Sequence, residues 1–223
     1  MPTHLRPTAP IAAAAVLVGD PGRALLLAQE LLEAPKMSNH ARGLWGYTGR
    51  TPSGEALTIQ ATGIGGPSAA LVLADLAELG VRRVVRVGTC TGFAGCKLGE
   101  LLVVSEAIAE AGSAISLGAS FGEAVAPDPG LSERILSAIA DHARPVTVSS
   151  VDGHPGQQQP RPGVAATDMQ TAPLLARARS LGIPAAAVLI VAEMPAFKTT
   201  LEKDPLEAAE KRAGRAAATA LSP

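Results

Sequence analysis

Rings are scarce in this chain. Only three Phe, one Trp and one Tyr occur among 223 residues, so Ala, Leu and Val must fill the core. Cysteine is scarcer still. Cys90 and Cys96 are too few for a secreted disulfide scaffold, and neither a C-x-x-C pair nor Cys/His metal spacing occurs. Charge of either sign is in short supply as well. Charged residues make up 17% of the chain and the net charge is −1, which points away from nucleic acid and from anionic membrane surfaces. No apolar run is long enough to span a bilayer. The run at residues 11–18 meets Gly19-Asp20-Pro21-Gly22 at once and reads as a first core strand rather than a signal-peptide core. A cytoplasmic protein without metal is the expectation.

What is present suits one α/β domain. Hydrophobic residues reach 47%, ample for a core. Residues 1–10 are Pro-rich and read as an extended arm. Periodicity and punctuation predict strands over 15–18, 57–61, 84–87, 101–105, 146–150 and 185–192. Helices are predicted over 24–33, 68–79, 131–141, 171–181 and 205–221. Residues 112–130 read as irregular and 152–163 as a loop. Strands and helices alternate, so a mixed sheet is expected within one α/β domain over 1–223.

The chain is organised around Val84-Val85-Arg86-Val87-Gly88-Thr89-Cys90-Thr91-Gly92. The valines predict a strand buried on both faces, ended by Gly88 and followed by a turn of small residues. Arg86 within such a run is costly to bury unless it meets an anion or a core carboxylate, and both readings stand open. The turn Gly19-Asp20-Pro21-Gly22-Arg23 leads into a helix, where free amides and the helix dipole favour negative charge. Arg23 in the first turn opposes that dipole. An anion between the two explains it, and so does a plain surface Arg beside Asp20. The Gly-rich turn 62–68 approaches a dinucleotide fingerprint, but Ser68 replaces the last Gly and Arg86 stands where an acid belongs.

Four motifs occur in a telling order and spacing: Gly19-Asp20-Pro21-Gly22-Arg23-Ala24, residues 39–49, residues 62–70, and Arg86-Val87-Gly88-Thr89-Cys90. Together they resemble the nucleoside phosphorylase family, which includes the hexameric purine nucleoside phosphorylases and the uridine phosphorylases. The likeness covers most of 16–106 and is traceable from 149 to 220. It implies a three-layer α/β/α fold around a twisted mixed sheet. It implies phosphorolysis, in which phosphate attacks the anomeric carbon of a ribonucleoside and releases free base and ribose 1-phosphate. It implies no cofactor besides inorganic phosphate as co-substrate. It also implies a homo-oligomer, a dimer at least and a hexamer of three dimers in the family form.

Carried over by position, the likeness places phosphate at Gly19, Arg23, Arg86 and Thr89, with Arg42 entering from a neighbouring subunit. His4 would cross the same interface to the ribose 5′-hydroxyl. Cys90, Asp168, Met169 and Gln170 would face the nucleoside. Where the family carries Glu-Met-Glu to grip the sugar hydroxyls, this chain has Asp168-Met169-Gln170, a neutral acceptor in the last place. At the base end an aromatic expected near Gly153 is missing, a family Tyr becomes His154, and the capping helix is largely deleted. Glu193 stands where purine-specific members place an Asp, as the catalytic acid or hydrogen-bond partner at N7, with Arg86 the catalytic cation. Lys211 and Arg212 fall near a family Arg that approaches this acid. Gln157 occupies the place of a uracil-reading Gln, but Gln159 falls at the companion Arg position, with Arg161 close by. Purine nucleosides are the expected substrates. A uridine phosphorylase and a degenerate, weakly active nucleoside-binding homologue are the alternatives. Arg86→Ala is expected to abolish phosphate binding and leave the fold intact.

Overall fold

The run Ala-Ala-Val-Leu-Val forms the first strand, β1 (Ala14–Val18), buried along its whole length. The computed structural model describes residues 2–93, 95–139, 143–157, 159 and 161–223, and of Phe197 its backbone. After α1 (Pro21–Leu31) come β2 (Glu33–Asn39), β3 (Gly46–Arg50) and β4 (Ala56–Ala61). The helix α2 (Gly65–Glu78) leads to β5 (Arg83–Gly92) and β6 (Leu101–Ala109). Then follow α3 (Gly112–Ser116), β7 (Ala124–Val125), α4 (Pro129–Ile139), β8 (Ala143–Ser150) and β9 (Ala166–Asp168). The chain closes with α5 (Thr171–Leu181), β10 (Ala185–Met194), β11 (Thr199–Thr200) and α6 (Lys203–Leu221).

One mixed sheet joins the strands. β1 lies parallel between β4 and β5, and β5 is also parallel to β10. β10 runs antiparallel to β6, which pairs in parallel with β8. β8 pairs in parallel with β9, and β9 returns antiparallel to the end of β5. That part of the sheet therefore closes on itself. Side chains alternate between two cores, as a strand period of two requires. Val84, Cys90, Leu189 and Val191 face one core, which α2, α3 and α5 cover through Leu73, Leu76, Ala114 and Leu174. Val85, Val87, Val188 and Ile190 face the other, covered by α1, α4 and α6. The three-layer arrangement expected from the sequence is present. Small residues make the layers fit. A Cβ on Gly214 of α6 would lie 2.6 Å from Leu27 Cδ2, so this helix approaches α1 only because position 214 is bare.

Several boundaries differ from the sequence reading. α1 begins at Pro21, not 24, because Asp20 caps it by accepting from the Arg23 amide at 2.8 Å. It stops at Leu31, and Glu33 opens β2, which was not anticipated. β5 does not end at Gly88. It runs on to Gly92 because β10 and β9 pair with its second half. The irregular stretch 112–130 holds α3, β7 and the start of α4. Residues 140 and 141, expected to end a helix, lie outside the described residues. No described helix is long and apolar enough to cross a membrane.

The N-terminal arm is fastened to α2. Asp75 accepts from the amides of Thr3, His4 and Leu5 at 3.1, 2.6 and 2.8 Å. Burial alone would raise this carboxyl. The three amides and the nearby His4 ring outweigh it and hold Asp75 below its ordinary value. A lowered carboxyl contributes stability above its unfolded value, and the contribution is lost as pH falls through the folded one. Asp75→Asn should speed hydrogen exchange at amides 3–5 by about tenfold or more at neutral pH. In the unsubstituted protein the same amides should lose protection on acidification below the usual carboxylate range.

Candidate active site

β1, β4, β5 and β10 run parallel along the sheet, so their C-terminal ends share one edge, where open α/β folds place ligands. A cavity of about 450 Å³ opens there. Its lining includes Gly19 to Arg23 apart from Gly22, Gly63 to Gly65, Arg86, Thr89 to Thr91, His154, Asp168 to Gln170, and Glu193.

Arg86 is the centre of this site and only 4% exposed. Its guanidinium donates from Nη2 to Asp168 at 2.9 Å, from Nη1 to Gln170 at 2.7 Å and from Nε to the Thr171 hydroxyl at 3.2 Å. A guanidinium has five N–H donors, so two remain for a ligand. The fold-back that brings it here passes over Gly88, where a Cβ would lie 2.5 Å from Nη2. Of the two readings left open for Arg86, the core carboxylate is present, and the arginine still lines the cavity.

Asp168 is in turn fully engaged. Besides Arg86 it accepts from the Ser150 hydroxyl and from the amide and hydroxyl of Thr171, at the N-terminus of α5 where the helix dipole favours an anion. Gln170 has nothing to spare either. Its carbonyl accepts from Arg86 and from the Thr62 hydroxyl, and its amide donates to the Gly63 and Gly65 carbonyls at 2.6 and 3.2 Å. Both residues line the cavity, as placed from the sequence, yet their polar atoms are spent on holding Arg86 and the turn after β4.

Arg23 is also bracketed. Its Nε donates to Glu210 of α6 at 2.6 Å, with both side chains buried. The four donors on its two terminal nitrogens are left for a ligand. Of the two readings left open for Arg23, the plain surface arginine is ruled out: the side chain is buried, Asp20 takes the Arg23 backbone amide, and the guanidinium turns to Glu210.

At the other end of the lining, Glu193 accepts from the Thr91 hydroxyl at 2.9 Å. His154 accepts at Nδ1 from the Gly156 amide. Cys90 is in the lining, but its thiol packs in the core and donates to the Ile190 carbonyl; burial, then the charge of Asp168, pushes it well above the ordinary value. Among the described residues no group of three or more His, Cys, Asp or Glu could hold a metal.

Other residues named from the sequence lie elsewhere. Arg42 is exposed on a left-handed turn (φ +59°), and His4 sits beside Asp75. Neither lines the cavity of its own chain. Gln157 and Gln159 are exposed and outside the lining, and Arg161 pairs with Glu110 at 2.6 Å. Lys211 lies 3.9 Å from Glu30, and Arg212 donates to the Gly99 carbonyl, so neither pairs with Glu193 as expected. Glu210, Thr171 and Thr91 were missed. Glu210 had a signal: at helical spacing it shares a stripe with Ala213, Gly214 and Ala217, a core face where an acid needs a partner.

Residues 13–222 match the Phosphorylase superfamily. The purine nucleoside phosphorylase DeoD-type of Clostridium perfringens is 31% identical over 210 residues, covering 86% of this chain and 87% of its own. That of Caldanaerobacter subterraneus subsp. tengcongensis is 30% identical over 198 residues, 82% of this chain and 83% of its own. That of Oceanobacillus iheyensis is 45% identical, but over 76 residues, 34% of this chain and 32% of its own.

The bracket corrects one expectation. Arg86→Ala leaves the buried Asp168 without its cation, so the fold does not come through unharmed. Removing one partner of a buried pair costs about 3–5 kcal/mol, or roughly 6–20 °C in Tm for a chain of this size. Thermal melts should show that loss, and adding Asp168→Asn should recover part of it without restoring phosphate binding.

Proposed function

Because the chain belongs to the phosphorylase superfamily, we propose that it is a nucleoside phosphorylase that cleaves purine nucleosides with inorganic phosphate. The observation that carries this reading is the pair of buried guanidiniums, Arg23 and Arg86, fixed by Glu210 and Asp168 with donors unspent, in a cavity that also holds Glu193. A phosphate dianion takes several guanidinium and backbone donors at once, and arginines on α1 and β5, with Gly19 and Thr89 beside them, supply them. Such an anion attacks the anomeric carbon and stabilises the positive charge that develops on the sugar as the bond to the base breaks. Met169, in the lining, offers its thioether to the apolar face of the sugar. Glu193 meets the departing purine at N7 as proton donor or hydrogen-bond partner.

The purine preference is supported by the relatives, which are purine nucleoside phosphorylases of the DeoD type. Gln157, Gln159 and Arg161, the positions a uracil-reading set would use, lie off the cavity or are paired elsewhere. Arg42 and His4, outside their own cavity, are assigned to a neighbour's. The exposed Met37 and Trp45 flank Arg42 in sequence and suit a covered face. We place the reaction in the cytoplasm, since residues 14–18 form a buried core strand and not a signal-peptide core.

Inosine, guanosine, adenosine and uridine, each with and without phosphate, test the reading. Purine nucleosides should be cleaved only with phosphate, yielding ribose 1-phosphate. Equal cleavage without phosphate, or cleavage of uridine alone, contradicts it. Glu193→Gln should lower purine turnover by roughly 10²–10⁴-fold and spare any uridine activity, since uracil has no N7. Light scattering beside activity should find turnover only in a dimer or larger assembly, and an active monomer at micromolar concentration would remove Arg42 and His4 from the site.

A further inference from the structure

We propose that Thr91 is a positioning residue, whose hydroxyl fixes the Glu193 carboxylate in one orientation toward the base. This rests on the purine reading of the cavity. The backbone sets up the contact. β5 and β10 pair in register up to Cys90 and Val191, but the next pair is Thr91 with Glu193. Ala192 is thus an extra residue in β10, a bulge of the kind that re-aims a side chain at the end of a strand. Without it Ala192 would face Thr91, and Glu193 would point to the opposite side of the sheet.

The bulge lets the two side chains meet. Thr91 is 3% exposed, and its hydroxyl donates to Glu193 Oε2 at 2.9 Å. The same oxygen faces Gly156, lying 3.0 Å from where a Cβ on that residue would be. Oε2 is therefore held by Thr91 and backed by the 155–157 turn, which leaves Oε1 to address the ligand. No described cation pairs with Glu193, because Lys211 and Arg212 are directed to Glu30 and Gly99. A glutamate swings through several rotamers unless something fixes it. The hydroxyl fixes it before substrate arrives, which is the preorganisation that catalysis rewards.

Thr91→Val keeps the shape and removes the donor, and Thr91→Ser keeps the donor. With a purine nucleoside and saturating phosphate, Thr91→Val should lower kcat about tenfold, and Thr91→Ser should restore most of it. KM for phosphate should stay within about twofold, because the Thr91 hydroxyl is bonded to Glu193 and not to Arg23 or Arg86. An unchanged kcat in Thr91→Val, a serine variant as poor as the valine one, or a matching rise in the KM for phosphate would overturn the proposal. Crystal structures of the unliganded proteins read the clamp without turnover. Oε2 should stay on the hydroxyl in the wild type and Thr91→Ser and leave its position in Thr91→Val; a carboxylate that does not move in Thr91→Val refutes the clamp. If the wild type cleaves no nucleoside, the purine reading fails, and the structures still decide the clamp.

Discussion

The buried ion pair between Arg86 and Asp168 is the constraint on which the rest of the site depends. An arginine 4% exposed and an aspartate 1% exposed carry a large desolvation cost, and their mutual attraction alone does not offset it. Additional hydrogen bonds do. Gln170 and Thr171 take two further donors of Arg86, while Ser150 and Thr171 donate to Asp168, so β5, β9 and the start of α5 converge on one guanidinium. The result is a cation held by regular elements rather than by a loop, with two donors left over. Arg23 repeats the device on a smaller scale with Glu210, joining α1 to the C-terminal helix.

The same network changes the meaning of Asp168-Met169-Gln170. In the family pattern the last position is a glutamate that grips sugar hydroxyls. Here the amide of Gln170 uses both of its acceptor sites and both of its donors on the protein. A neutral side chain suits that place because it must receive from Arg86 and give to two backbone carbonyls at once, which a carboxylate cannot do. The segment is a bracket for Arg86.

Much of this was legible in the sequence. The valines of β5, the run of β1 and the capped end of α5 at Gly182 declare themselves through periodicity and punctuation, and the layers follow from their alternation. The arginines could be picked out because charge is scarce and each stands beside glycines. What could not be read was who answers them. Asp168 and Glu210 lie 82 and 187 residues from their partners; the core stripe of α6 marks Glu210 as an acid that needs a partner, but nothing local names the arginine that either acid meets. The bulge at Ala192 was equally hidden, since it arises from how β10 pairs with β5 and not from an unusual residue in the strand. The sequence pattern ends β5 at Gly88 for a related reason. A glycine there signals a stop, but its role is to let the Arg86 guanidinium fold over the backbone.

The central claim is that two carboxylate-bracketed arginines form one anion site. A crystal structure of the protein soaked with inorganic phosphate tests it most directly. The account predicts a tetrahedral anion bound to the free nitrogens of both Arg23 and Arg86, with the Glu210 and Asp168 contacts still in place. An anion bound elsewhere, or guanidiniums more than about 10 Å apart and beyond shared hydrogen-bonding reach, would contradict it.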